Sequence, residues 1–264
     1  MSVLAAERIK LTTTKSPWWC TAIIVVLGLG LGAIIGATSK ASFSAFEDDV
    51  ASGNNPGFEP FLPTVSDALT GVSGFGVLVL MILAALAITS EYRFGIIRTT
   101  FQAIPSRASV LLTKSLLIGV FGAVLSFVLA LGAVFLAKAL AGPDAGMNLV
   151  LEGGEAWRAV YGTAIYAFLG AFLAVGVGAL IRQSAAAIAL LLLWPLLIES
   201  LFNLFGSFGR TVLPFLPFTN LNNFLGSPAG VDFHWGPWAS LAYFAAFVIV
   251  IFGAAVVVVN KRDA

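Results

Sequence analysis

Residues 18–38 read WWCTAIIVVLGLGLGAIIGAT, an apolar run without a single charged residue. A helix needs about 20 such residues to cross the ~30 Å hydrocarbon core of a bilayer. The apolar part of a secretory signal is shorter, about 7–15 residues. The run therefore predicts a transmembrane helix rather than a cleaved signal.

The rest of the chain repeats this pattern. Of its 264 residues, 59% are hydrophobic and 10% are charged, whereas soluble domains carry about 25% charged residues. Comparable apolar runs occupy residues 71–89, 110–137, 156–181, 184–205 and 237–259. We therefore predict an all-α integral membrane protein in which residues 1–264 form a single transmembrane domain of six helices.

Basic residues are unevenly divided between the two sides of the predicted membrane. Six spans place both termini on one side, which then holds ten Lys and Arg residues against four on the other, together the 14 of the chain. Lys and Arg concentrate in cytoplasmic segments. We therefore expect both termini and residues 90–109 to be cytoplasmic, with the protein in the plasma (inner) membrane.

The segments that flank the spans differ in character. Residues 1–17 are basic and lead into Trp18 and Trp19, a pattern that favours an amphipathic helix on the inner surface with tryptophan anchors; a flexible basic tail is the alternative. Residues 39–70 contain FEDDVASGNNPGFEP and predict an irregular, solvated outer segment.

The stretch before the last span, NLFGSFGRTVLPFLPFTNLNNFLGSP at residues 203–228, is rich in Phe, Gly and Pro. It is too apolar for a freely hydrated loop and too interrupted for one continuous span. Non-helical backbone at membrane depth is tolerated only where protein shields it. We expect short re-entrant half-helices in the outer leaflet here.

Few side chains in the spans carry chemistry. There is one cysteine and one histidine, no G-x-x-x-x-G-K-[ST] motif, and no catalytic or metal-ligand spacing. The sequence also lacks a basic patch with interleaved aromatics that would indicate nucleic-acid binding. We expect neither an enzyme nor a cofactor site in this chain, and the near absence of ionisable residues in span centres argues against an ion-coupled carrier.

Glu199 is the exception in the outer third of the fifth span. One interpretation is that it lines an exit vestibule, paired with Arg210. The alternative is that it reaches interfacial water because the span ends early. Pro195, one turn before it, has no amide hydrogen to donate and can kink the helix.

Small residues recur at four-residue spacing in two spans. The members are Gly28, Gly32 and Gly36 in the first span and Gly170, Ala174 and Gly178 in the fourth. Such residues let helix backbones approach closely in lipid. The stripes predict either a dimer seam or packing within one protomer.

Residues 89–107, TSEYRFGIIRTTFQAIPSR, separate the second and third spans. The residues Ile97, Phe101, Ile104 and Ala108 share one helical face, Gly95 can end the preceding span, and Pro105 can end the turn. This pattern is typical of a short amphipathic helix that either lies on lipid headgroups or docks in a groove of another protein. A solvated basic loop is the alternative.

This stretch, together with VLLTKSLL after it, resembles the loop and third span of permease subunits of ABC-2-type transporters, especially actinobacterial ones. The N-terminal AERIKLTTTKSPWW is similar to the surface helix and Trp pair of the same subunits. The resemblance implies a cytoplasmic coupling helix in a cleft of a separate ATPase. The candidates for contact with this ATPase are Glu91, Tyr92, Arg93, Arg98 and Phe101. In an alternative arrangement, Glu91 and Arg93 instead brace the coupling helix against the N-terminal helix.

The resemblance further implies a second permease, identical or paralogous, an outer gate from half-helices resembling residues 201–224, and ATP with Mg²⁺ on the partner. The expected function is export of an amphipathic or hydrophobic substrate, powered by that ATPase. The rival hypothesis is a stand-alone channel or membrane scaffold. Membrane lipids are expected partners in either case.

Overall fold

A computed structural model of the chain describes residues 9, 12–13, 15–103, 106–227 and 230–261, without the side chains of residues 98, 99, 101 and 103. The described part is mainly helical and has no strand. The surface helix expected over residues 1–17 lies almost wholly outside the described residues.

Most of the helices follow one another closely, with longer connections after Ala51, Ala145 and Leu225. They are α1 (Lys15–Ala51), α2 (Val65–Ala68), α3 (Gly71–Arg93), α4 (Ile96–Ala103), α5 (Arg107–Ala145), α6 (Gly153–Ile181), α7 (Ser184–Leu193), α8 (Glu199–Leu201), α9 (Gly206–Val212), α10 (Pro217–Leu225) and α11 (Pro237–Lys261). In the part of the chain that the structure describes, two stretches are π-helical: Gly71–Gly76, the opening turns of α3, and Trp194–Ile198, which joins α7 to α8.

Within the described residues, six helical stretches are long and apolar enough to cross a membrane, as the sequence predicts. They are α1, α3, α5, α6, Ser184–Phe215 and α11. Their length and composition are those of membrane spans and indicate a multi-pass membrane protein. The stretch Ser184–Phe215 is interrupted by the π-helical turn and by short 3₁₀ turns, because Pro195 and Gly206 interrupt regular α-helix there.

Two helices end eight or more residues beyond their apolar runs. The first continues to Ala51, so the irregular segment expected over residues 39–70 begins only after it. No glycine or proline occurs between Gly36 and Gly53, and nothing in that stretch interrupts the helix beyond the apolar layer. The third span extends to Ala145, with a kink at Gly142, where φ is +82°.

The bundle is built around α6. This helix packs against α3, α5, α10 and α11, and 61% of the most apolar stretch of α3 and of α6 is buried, against 17% for Ser184–Phe215. The α3 and α6 helices form the core, whereas Ser184–Phe215 leaves most of its apolar surface outward.

The small-residue stripes pack within this one chain. A Cβ on Gly32 would lie 3.1 Å from the Cβ of Ala133, and one on Gly36 would collide with the backbone of Ala137, both on α5. On α6, a Cβ on Gly178 would lie 2.6 Å from Ile88 of α3. Of the two interpretations of the stripes, these contacts favour packing within the protomer.

Hydrogen bonds define the two ends of the bundle. At one end, which we call the basic end, Arg107 donates to the carbonyl of Val259 over 2.9 Å. At the other, the distal end, Ser66 donates to the carbonyl of Leu225 over 3.1 Å and Ser39 to that of Ala145. The α4 helix lies at the basic end, because it joins the end of α3 to the start of α5.

Candidate functional site

The α4 helix and its surroundings form the first candidate site. Gly95, with φ +70°, separates it from α3, as the sequence predicts. Ile97 is 2% exposed, whereas Phe94 is 68% exposed, so the turn presents one apolar residue to the bundle and another outward. The side chains of Arg98 and Phe101, and all of residues 104 and 105, lie outside the described residues.

A buried ion pair lies beside α4. The Nζ of Lys114 on α5 is 3.0 Å from Oε1 of Glu91 on α3, with the two side chains 3% and 7% exposed. Since an isolated charge is costly to bury, the pair ties the end of α3 to α5. The structure thus places Glu91 inside the bundle, not on a surface where a partner would contact it.

The other two α3 candidates differ in exposure. The ring of Tyr92 is half-buried and lies 4.9 Å from the guanidinium carbon of Arg182, a cation–π distance. Arg93 is exposed, with its guanidinium carbon 5.5 Å from the ring of Phe94. Of the three α3 candidates, Arg93 is therefore the one whose side chain is available to a partner, next to the exposed ring of Phe94.

The turn between α6 and α7 completes the basic end. Arg182 ends α6 in the left-handed region at φ 59°, and its amide donates to the carbonyl of Gly178 over 2.8 Å. The hydroxyl of Ser184 bonds to that of Thr89 over 2.9 Å. Together with the Arg107–Val259 bond, these contacts tie α3 to α7 and α5 to α11 around α4.

Glu199 is the centre of the second candidate site, at the distal end. It is 4% exposed, and Oε1 accepts from the Trp194 indole and from the Phe218 amide, each over 3.0 Å. Its Oε2 accepts from the amide of Thr219 over 2.6 Å and from its hydroxyl over 2.8 Å. The carboxylate therefore caps the N-terminus of α10.

This cap explains why a carboxylate is buried here. The residue at the N-cap of α10, Leu216, has no side-chain acceptor for the first amides of the helix. A carboxylate both satisfies these amides and complements the positive end of the helix dipole. Neither sequence interpretation of Glu199 anticipates this role. Arg210 is exposed, and the described residues include no ion pair between Arg210 and Glu199.

The other end of α10 is held by a base. Arg158 on α6 donates from Nε to the carbonyl of Phe224 over 2.9 Å and pairs with Glu155 at 3.2 Å. A cation at a helix C-terminus is favourable by the same dipole argument. Aromatic contacts to α11, Phe218 with Phe244 and Phe224 with Trp238, fix the intervening turns. The α10 helix is thus largely buried at the distal end and is held at both of its ends by side chains of other helices.

The sequence singled out charged residues such as Glu91 and Glu199, but it did not indicate which side chains contact them or the helices around them. Lys114, Arg182, Arg158 and Thr219 become visible only when the helices are packed. A proline at the first position of α10 is a helix-start signal, and it could have prompted a search for a distant acceptor. In the described part of the chain, no group of three or more His, Cys, Asp or Glu side chains could hold a metal ion.

Comparisons with protein-family models, with curated proteins and with solved structures gave no match for this chain.

Proposed function

We propose that this chain is the membrane-spanning permease subunit of an ATP-binding-cassette exporter. In this proposal a separate subunit hydrolyses ATP with Mg²⁺, a second permease copy or paralogue completes the assembly, and an amphipathic or hydrophobic substrate leaves the cytoplasm. The observation that carries it is α4, a short helix set between two spans by a glycine break, within the stretch that resembles the ABC-2 coupling segment.

The surroundings of α4 support a mechanical role. A lever transmits force only if the elements at its base do not yield. The Glu91–Lys114 pair and the Arg107–Val259 bond join α3, α5 and α11 immediately around α4. A partner that moves α4 would therefore move several spans together and bias one helix packing over another.

The outer gate is the other part of the proposal. The segment expected to form re-entrant half-helices folds as α9 and α10 with short turns between them. Because α10 is capped at both ends by side chains of other helices, it can move as a unit when α6 or Ser184–Phe215 moves. We propose that this unit closes the outer side of the pathway.

Co-purification distinguishes the exporter subunit from the rival function, a channel or scaffold without an ATPase. The chain is produced together with the reading frames next to its own and isolated in mild detergent. The proposal expects a P-loop ATPase in stoichiometric amount, lost when Arg98 and Phe101 are both replaced by Glu. The matched control replaces Ser52 and Asn54, exposed residues at the distal end, by Glu and retains the partner. A chain that purifies alone supports the rival.

A further inference from the structure

A cavity of about 340 Å³ lies beneath α10 at the distal end. Its walls come from the start of α3, from α6 and from the π-helical turn at Trp194–Ile198, and its roof from α10. The two π-helical stretches found among the described residues both contribute to it, through Ser73 and Pro195. Single π-turns within α-helices occur often at functional sites, and the volume falls within the range of small-molecule sites.

The lining combines apolar walls with uncharged polar groups. The polar lining includes Ser66, Thr70, Ser73, Thr163, Tyr166 and Asn222. Among the described residues that line the cavity, none is acidic or basic. The nearest carboxylate along α10, that of Glu199, has both oxygens engaged by Trp194, Phe218 and Thr219. The Arg158–Glu155 ion pair lies close by, because a Cβ on Gly226 would be within 4 Å of both side chains and of the Ser66 hydroxyl, and its two charges offset one another. The cavity therefore offers hydrogen bonds without a net charge to balance an ionic ligand.

Several of these polar groups have unused capacity. The hydroxyls of Ser66, Ser73 and Thr163 donate to backbone carbonyls, which leaves their oxygens as acceptors. The hydroxyl of Thr70 and the side-chain amide of Asn222 form no hydrogen bond with the described residues, and both residues are exposed. They are available as donors to a ligand.

Tyr166 places a buried hydroxyl group with only a weak partner at the cavity wall. It is 4% exposed, yet the one partner of its hydroxyl among the described residues is the sulfur of Met81, 3.9 Å away. A sulfur is a weak acceptor, and buried hydroxyls normally find better partners. Its ring is fixed edge-on to Phe244, so the hydroxyl is held in place at the cavity wall.

The position of the cavity indicates how a ligand reaches it. Counting about 1.5 Å per residue, Tyr166 lies about 22 Å from the basic end of α6, in the distal half of a ~30 Å core. Leu196 of the wall is 51% exposed on the outward side of the fifth span. The cavity thus adjoins both the membrane and the distal surface, where an amphiphile places its polar head.

We propose that this cavity binds the head of an uncharged, hydroxyl-bearing amphiphile of lipid type, with the apolar tail leaving past Leu196 into the bilayer. Tyr166 and Asn222 provide hydrogen bonds to the head. The absence of a net positive charge in the lining selects against anionic lipids. As a statement about cargo this rests on the proposed function; as a statement about a binding site it does not.

The test uses the purified full chain in phosphatidylcholine nanodiscs, with no ATPase present. The probe is a diacylglycerol with a photoactivatable diazirine in one acyl chain, and the charge control is phosphatidic acid with the same chains. Irradiation is followed by peptide mapping. We expect saturable labelling by diacylglycerol near Leu78 and Leu196, two apolar residues that line the cavity. Unlabelled diacylglycerol should compete with this labelling, and phosphatidic acid should label more weakly.

Variants assign the labelling to the cavity. Tyr166→Phe and Asn222→Leu are each expected to weaken diacylglycerol binding about fivefold, the effect of one hydrogen bond. The matched control, Tyr161→Phe, changes a tyrosine of the same helix that stacks on Trp238 instead and leaves binding unchanged.

Non-saturable labelling that is equally strong at the outward Ile249 and Val250 of α11 overturns the site. Equal labelling by phosphatidic acid overturns the ligand class. Because no ATPase is present, either result leaves the proposed coupling to ATP untouched.

Discussion

Glu199 and Thr219 are joined by two hydrogen bonds, one from the Thr219 amide at 2.6 Å and one from its hydroxyl at 2.8 Å, although 20 positions of sequence separate them. Through these bonds, a side chain of the fifth span holds the first turn of the short helix α10. Glu199 thus holds the start of α10, while Arg158 holds its other end.

Glu199→Ala should destabilise the protein. The change leaves the buried amides of Phe218 and Thr219 without an acceptor, and we expect a loss of about 3 kcal/mol in the free energy of unfolding. Thr219→Val, which removes only the hydroxyl, should cost about 1 kcal/mol. Thermal unfolding in detergent measures both, with Glu59→Ala as an exposed control. A Glu199→Ala protein as stable as the control would show that the cap is dispensable.

The buried pair at the basic end gives a double-mutant prediction. Lys114→Met leaves the Glu91 carboxylate buried without this partner and should cost about 3–5 kcal/mol in the free energy of unfolding. Adding Glu91→Gln removes the charge and should restore most of that loss. Equilibrium unfolding of the wild type, both single variants and the double variant measures the coupling energy. Strictly additive losses would mean that the two charges do not stabilise one another.

The glycine stripe of α1 provides a matched pair of substitutions. A Cβ at Gly36 collides with the backbone of Ala137, whereas one at Gly30 meets nothing within 4 Å. Gly30→Ala should be neutral or stabilising by about 0.5–1 kcal/mol, because alanine favours the helix. Gly36→Ala should lower the thermal midpoint by separating α1 from α5. If the two variants have the same thermal midpoint, the close contact between α1 and α5 at Gly36 is contradicted.

The sidedness of the membrane is also testable, because the chain has one cysteine. In a Cys20→Ser background, cysteines at the exposed positions Gln102 and Ser52 report on the basic and distal ends. A membrane-impermeant maleimide added to intact cells should label position 52 and reach position 102 only after lysis. Labelling of position 102 in intact cells would reverse the orientation derived from the basic residues.

The sequence predicts the spans well because crossing a bilayer imposes a length and a polarity that composition alone reveals. Gly95 marks the break before α4 for an equally local reason, since a positive φ suits glycine. The end of α1 at Ala51 is missed because helix continues past the apolar layer wherever no residue stops it.

The site could be predicted only in part. Glu91 stands out as a charge near a span end, but its burial depends on Lys114, a residue in another helix. Glu199 stands out in the same way, and its role depends on where α10 begins. Pairings between distant helices arise from three-dimensional packing, which local pattern does not encode.

The most direct test of the central claim, that α4 is the lever for a separate ATPase, is site-specific photo-crosslinking. A benzophenone amino acid replaces Gln102 on α4 or, as a control, Ser52 at the distal end, in cells that also express the neighbouring reading frames. We expect position 102 to crosslink to a P-loop ATPase and position 52 not to. If position 102 forms no ATPase adduct in a correctly inserted protein, or if position 52 forms it equally well, the assignment of α4 as a coupling helix is contradicted.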